Sequence, residues 1–146
     1  MKMHSMKKLL WLIACIVLIA AIALCTTGCS NSETTEETPD IAQLPAQTIG
    51  EGNTVFYFVA VDLEGGMTKF EVHTNETKVG AALMELGLIS GDAGPYGLYV
   101  KTVNGVTVDW ETDGKYWALY IGEEYGLTGV DQVDIVADTV YTFRPE

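Results

Sequence analysis

The chain has 146 residues and sets eight basic side chains against twenty acidic ones, a net charge of −12. Such an acidic balance argues against nucleic acid as a partner, whose affinity comes largely from Lys and Arg neutralising phosphates. The three cysteines, Cys15, Cys25 and Cys29, all lie at the start of the chain. No disulfide can therefore form within the remainder, which has to fold on a hydrophobic core.

Lys2, Lys7 and Lys8 precede a 16-residue apolar stretch from Leu9 to Leu24, and small residues follow it. A basic start, an apolar core and a small-residue exit make a secretory leader. The stretch is shorter than the roughly 20 residues that a spanning helix needs. Leu24-Cys25-Thr26-Thr27-Gly28-Cys29 resembles the lipobox of bacterial lipoproteins, with Thr26 standing where that family usually has Leu. The resemblance implies a signal peptide over residues 1–28, cleavage before Cys29, and lipidation of Cys29. The chain would then sit on the extracellular face of a bacterial cell membrane; a plain secretory cut and a retained anchor are the alternatives. Two or more acyl chains on one residue would hold it stably. Beyond Cys29, twenty acidic residues face five basic ones, which leaves fifteen surplus negative charges. They keep the domain soluble and discourage contact with anionic lipid beyond the anchor.

Residues 29–52 read as the lipidated cysteine and an acidic linker. Asn31 to Asp40 is almost free of apolar side chains and cannot bury enough surface to fold. Ile41, Leu44 and Ile49 mark where the chain begins to touch a domain that spans residues 53–146. Thr54 to Asp62 is apolar on both alternating faces, as in a strand in the middle of a sheet. Leu63-Glu64-Gly65-Gly66 is a turn. Thr68 to Thr74 alternates, with Phe70 and Val72 inward and Lys69, Glu71 and His73 outward. Val79, Ala82, Leu83 and Leu86 recur at the spacing of one helical face. Thr77 or Asn75 is placed to cap that helix, and Gly87 to end it with Leu88 in the hydrophobic contact that follows. Ser90 to Gly97 reads as a loop. Leu98 to Val103 and Val106 to Trp110 are strands joined by Asn104-Gly105, a strong hairpin signal. Tyr116 to Ile121 and Thr139 to Phe143 are further strands. The expected class is α+β, with one helix on a mixed or antiparallel sheet in a β-grasp-like arrangement. A small all-β sandwich is the second choice.

The aromatic residues are sorted along the chain. Phe56, Phe58, Phe70 and Phe143 lie outside residues 96–125, whereas every aromatic residue inside that window is Tyr or Trp. An apolar ring with a polar tip suits a surface that is wet when free and covered when bound. Tyr96, Tyr99, Trp110, Tyr116, Trp117, Tyr120 and Tyr125 make up this set. Tyr96 and Tyr125 lie in glycine-flanked loops, which favours contact. Trp117 alternates with Leu119 and Ile121, so its pattern allows either a core or a contact place.

No nucleophile–base set is visible, and the expectation is a binding protein rather than an enzyme. Beyond the leader, His73 is the only histidine, too little to build a metal centre. Asp109 to Gly114 imitates the start of a calcium loop, but Tyr120 occupies the twelfth position, where a bidentate Glu belongs. The glycines at 65–66 and 91–97 lack the Lys and the strand-to-helix setting of a phosphate loop.

Gly94-Pro95-Tyr96, Val103-Asn104-Gly105, Tyr116-Trp117-Ala118-Leu119-Tyr120 and Gly129-Val130-Asp131-Gln132 together resemble the transcobalamin-like C-terminal domain family, over about Val55 to Phe143. In the vitamin carriers of that family the domain closes over cobalamin held on a larger helical domain. The resemblance implicates Pro95, Tyr96, Trp117, Leu127 and Thr128 in ligand binding, and the aromatic pattern adds Tyr99, Tyr120 and Tyr125. Ala118 stands where the carriers have Gln, and the helical domain has no counterpart here. What the resemblance implies is a ligand-binding module, with cobalamin or another corrinoid as ligand and a transporter or envelope protein as partner. The alternative is a cell-surface protein-interaction module with no small ligand. No resident cofactor is required by either reading.

Overall fold

The computed structural model describes residues 40–146. The leader, Cys29 and the linker up to residue 39 lie outside the described residues.

The strands are β1 (Ala46–Gly50), β2 (Thr54–Val61), β3 (Met67–Thr74), β4 (Ile89–Gly94), β5 (Gly97–Val103), β6 (Val106–Thr107), β7 (Trp117–Ile121), β8 (Glu124–Tyr125) and β9 (Val140–Pro145). Two helices, α1 (Val79–Glu85) and α2 (Trp110–Asp113), complete the α+β fold. A six-stranded sheet runs in the order β1-β3-β2-β9-β7-β8, and β4-β5-β6 form a second sheet. The β2–β3 hairpin is followed by α1, and the last strand, β9, returns parallel to β2. That is the β-grasp-like order expected from the sequence; the second sheet is an addition to it.

The doubly apolar pattern of β2 has the meaning it suggests, since β2 lies between β3 and β9. Phe56 and Phe58 are fully buried. Phe58 stands opposite Phe70 on β3 and beside Tyr141 on β9. Phe56 meets the Tyr141 ring edge-on with centroids 5.4 Å apart. Val79, Ala82 and Leu83 bring the apolar face of α1 into the same core. Gly87 ends the helix at φ +69°. Leu88 N–H donates to the Leu83 carbonyl and Gly87 N–H to that of Met84, the paired bonds of a left-handed glycine cap. The start of the helix differs from expectation. Neither Thr77 nor Asn75 caps it; Lys78 holds the cap position without a side-chain bond. The first amide, that of Val79, donates instead to the Val133 carbonyl at 2.9 Å, so a distant segment satisfies what a local side chain was expected to satisfy.

Three segments correct the sequence reading. The linker does not reach Gly52, because Ala46–Gly50 pairs in parallel with β3. Only Ile49 of β1 is partly covered, so this edge strand is held by main-chain bonds and lacks an apolar alternation to betray it. Ser90 to Gly97 is not a loop: Ile89–Gly94 is a strand paired with β5 and bulged between Ser90 and Gly91. Its glycine serves close approach, since a Cβ on Gly91 would lie 2.0 Å from the Tyr99 carbonyl oxygen. Finally, the strand expected over Val106 to Trp110 stops at Thr107. The Asp109 carboxylate accepts from Glu111 N–H at 2.9 Å and starts a second helix, α2, with Trp110. The Asn104-Gly105 hairpin stands as expected, with both residues at positive φ.

Candidate functional site

Pairing of Gly94 with Gly97 leaves Pro95 and Tyr96 as the two-residue tip of the β4–β5 hairpin. Residues 126–129 approach this tip from the other side. Tyr96 C=O accepts from Gly129 N–H at 3.2 Å and from the Gln132 side-chain amide at 3.3 Å. The Asp131 carboxylate accepts from Leu98 N–H at 2.7 Å. Only glycines allow this seam. A Cβ on Gly129 would sit 2.5 Å from Asp131 Oδ1 and 2.8 Å from the Gly97 Cα. The Gly-Val-Asp-Gln run is therefore a latch that fixes two loops at a set separation.

Above the latch lies a cleft of about 310 Å³. Pro95, Tyr96, Tyr99, Trp117, Tyr125, Leu127 and Thr128 line it, so seven of the eight residues singled out from sequence share one concavity. Tyr96 and Leu127 form the rim, at 84% and 90% exposure. Trp117, at 6%, is a floor residue whose indole N–H donates to the Lys101 carbonyl at 3.0 Å. Both readings of its pattern thus hold a share: it belongs to the core and shows one edge to the cleft.

Tyr120 is the exception. It does not line the cleft, because alternation along β7 turns it away from Trp117 and Leu119. Its hydroxyl bonds Glu146 and Arg144, and the Arg144 guanidinium stacks 3.8 Å from its ring centroid. Tyr120 braces Tyr125 edge-on at 5.5 Å and acts on the cleft only through that ring. Tyr116, by contrast, lines the cleft and was not among the chosen residues. Its hydroxyl accepts from Tyr125 O–H at 3.5 Å and donates to Glu146 at the same distance. Hydrogen bonding with Tyr125, followed by desolvation, pushes the Tyr116 phenol up to about 12.

Asp131 and Gln132 were also missed as working residues, although both stood in the quoted motif. A polar pair after Gly-Val reads as solvent-facing until the opposite loop is known. Asp109 to Gly114 forms a helical turn, and among the described residues no three His, Cys, Asp or Glu side chains gather to hold a metal ion.

No family model and no curated protein matches this chain. Among solved structures it is similar to a protein from Ruminococcus gnavus described as a candidate metal-binding protein, with TM-score 0.61 and 22% identity over 64% of this chain and 97% of the other. It also matches haptocorrin, of the transcobalamin family, in complex with Cbi, at TM-score 0.44 and 14% identity. That match covers 66% of this chain and 26% of haptocorrin, so the chain spans about a quarter of that protein's length. The likeness to the Ruminococcus gnavus protein establishes a shared fold, with the cleft set into it.

Proposed function

We propose that this chain is a membrane-tethered, extracellular binding module that takes a small ligand in the Tyr/Trp cleft and works with a transporter or another envelope protein. The single observation that supports the reading is the convergence of seven sequence-selected residues on one concavity. Lipidation at Cys29 and the acidic linker would hold the module near its partner, raising the local concentration of one for the other. No catalytic role is assigned to any residue.

A corrinoid is the ligand that the sequence resemblance suggests. A cleft of about 310 Å³ is near the lower end of the ~300–1,000 Å³ usual for small-ligand sites. A macrocycle would thus enter by one edge and leave the remainder for a second protein to cover. The test is a titration of the full chain with cobalamin and cobinamide, read by tryptophan fluorescence. Saturable quenching at micromolar ligand, lost in Tyr96→Ala, is the expected result. An unsaturated, variant-independent signal would remove the corrinoid from consideration.

The second reading is a protein-interaction surface, and the exposure of Tyr96 and Leu127 favours it. Large apolar side chains on a polar-rimmed surface are common anchors of protein contacts. Recovery of one envelope protein by the tethered chain, abolished by Tyr96→Ala, would support it.

A further inference from the structure

The charge on the cleft differs from that on the rest of the molecule. Every residue lining it is uncharged, in a chain with twenty carboxylates. Of its aromatic walls, the Tyr116 phenol is pushed up to about 12, first by hydrogen bonding with Tyr125. At the base, the Asp131 carboxylate is committed to Leu98 N–H. Arg144, at the far end of the tyrosine chain, is paired with Glu146 at 2.9 Å.

Across the ridge of Gly94, Pro95 and Tyr99 lies a second depression, walled by Asp92, Asp109 and Glu111. Lys101 is the cation there, and it is already shared between Asp92 at 2.9 Å and Asp109 at 3.8 Å. The surroundings of the cleft are thus anionic while its walls are neutral. An anion entering it would lose water, gain no counter-ion, and face like charge from the neighbouring depression.

Size narrows the occupant further. The cleft of about 310 Å³ stands at the small end of the ~300–1,000 Å³ of small-ligand sites. That suits one or two fused rings and rules out enclosure of a macrocycle. Tyr96, Tyr99, Tyr116, Trp117 and Tyr125 supply flat walls, which favour a flat apolar guest. The latch keeps the walls from spreading, because the bonds from Gly129 and Gln132 to the Tyr96 carbonyl and from Leu98 to Asp131 tie the two loops together.

We propose that the cleft accepts a single flat ring system of its ligand and turns anionic groups away. This rests on the ligand-binding reading above and names the chemistry of its occupant.

Matched probes test it: naphthamide and naphthoate have the same ring system and differ in charge. Isotope-labelled full chain in nanodiscs would be titrated with each, with equilibrium dialysis fixing the free probe concentration. The backbone amides of Tyr96 and Thr128 belong to residues that line the cleft, so binding to lipid or leader does not count. Naphthamide should shift both signals saturably and bind about tenfold more tightly than naphthoate, the difference expected for burying an unpaired charge. Leu127→Lys, at a rim residue 90% exposed and so without cost to the fold, should bring naphthoate close to naphthamide. Equal affinity for the two probes in the unaltered chain would overturn the charge selection and leave the cleft a binding site. If no probe moves either signal, the ligand-binding reading falls with it.

Discussion

Gly97 and Gly129 touch backbone to backbone across the base of the cleft: a Cβ placed on Gly97 would lie 3.0 Å from the Gly129 Cα, and one on Gly129 2.8 Å from the Gly97 Cα. The glycine at 129 is required by close approach, to Gly97 and to the Asp131 carboxylate, for its φ of −57° is open to any residue. Gly129→Ala should therefore destabilise through steric crowding, by about 1–3 kcal/mol. Urea unfolding would measure this; an unchanged midpoint would mean that the loops separate freely and the cleft has no fixed width.

Asp131 closes the same seam electrostatically. Asp131→Ala leaves the part-buried Leu98 N–H without its acceptor, a loss of about 1–3 kcal/mol. Asp131→Asn retains an acceptor oxygen and should recover much of it. Amide hydrogen exchange separates this from general weakening: Leu98 should exchange faster in the Ala variant while Phe58, in the middle of the large sheet, keeps its protection.

Rim and core should respond in opposite ways. Tyr96→Ala removes a side chain that is 84% exposed, so stability should change by no more than about 0.5 kcal/mol, while probe binding in the cleft is lost. Leu83→Ala, at a fully buried position of α1, should cost about 2–5 kcal/mol. Thermal unfolding beside a binding titration on the same samples checks both.

The sequence pattern was legible wherever a side chain's partner is close by or its periodicity is driven by burial. β2, β3, the face of α1, the Gly87 cap and the Asn104-Gly105 hairpin all belong to that class. β1 and β4 escaped because their exposed sides carry no apolar alternation; main-chain bonds and the Gly91 approach hold them. The Val79 amide reaches Val133, 54 positions away, and no local rule finds such a cap. The aromatic window located the cleft, yet Tyr120 was placed in it against information already in the chain. In a strand, Trp117 and Tyr120 differ in parity and so face opposite sides.

The brace behind Tyr125 predicts a response to acid. The hydrogen bond from Tyr120, aided by Arg144, holds the Glu146 carboxyl below its ordinary value of 4.5 against the opposing effect of desolvation. A carboxyl lowered by folding contributes stability above its unfolded value and loses it as the pH falls through the folded one. The chain should therefore lose stability as pH falls from about 5, the reach of an ordinary carboxyl. Glu146→Gln should flatten that limb while leaving neutral-pH stability little changed. The carboxyl is largely solvated, so the effect is read as a difference between the two acid titrations.

The alkaline side has the opposite sign and reports from the cleft itself. Tyr116 is raised from 10.0 to about 12, first by its hydrogen bond with Tyr125 and then by desolvation and the nearby Tyr125 and Glu146 charges. A phenol that holds its proton more tightly when folded contributes stability that is complete below the unfolded value and disappears as pH rises through the folded one. The window therefore lies between pH 10.0 and about 12. Ultraviolet titration of phenolate should show the Tyr116 phenol ionising near the top of that window. Tyr125→Phe deletes the hydroxyl bonded to Tyr116 and should return the late tyrosine toward its ordinary range. A Tyr116 phenol that still ionises late in this variant would place the cause elsewhere, in Glu146 or in desolvation.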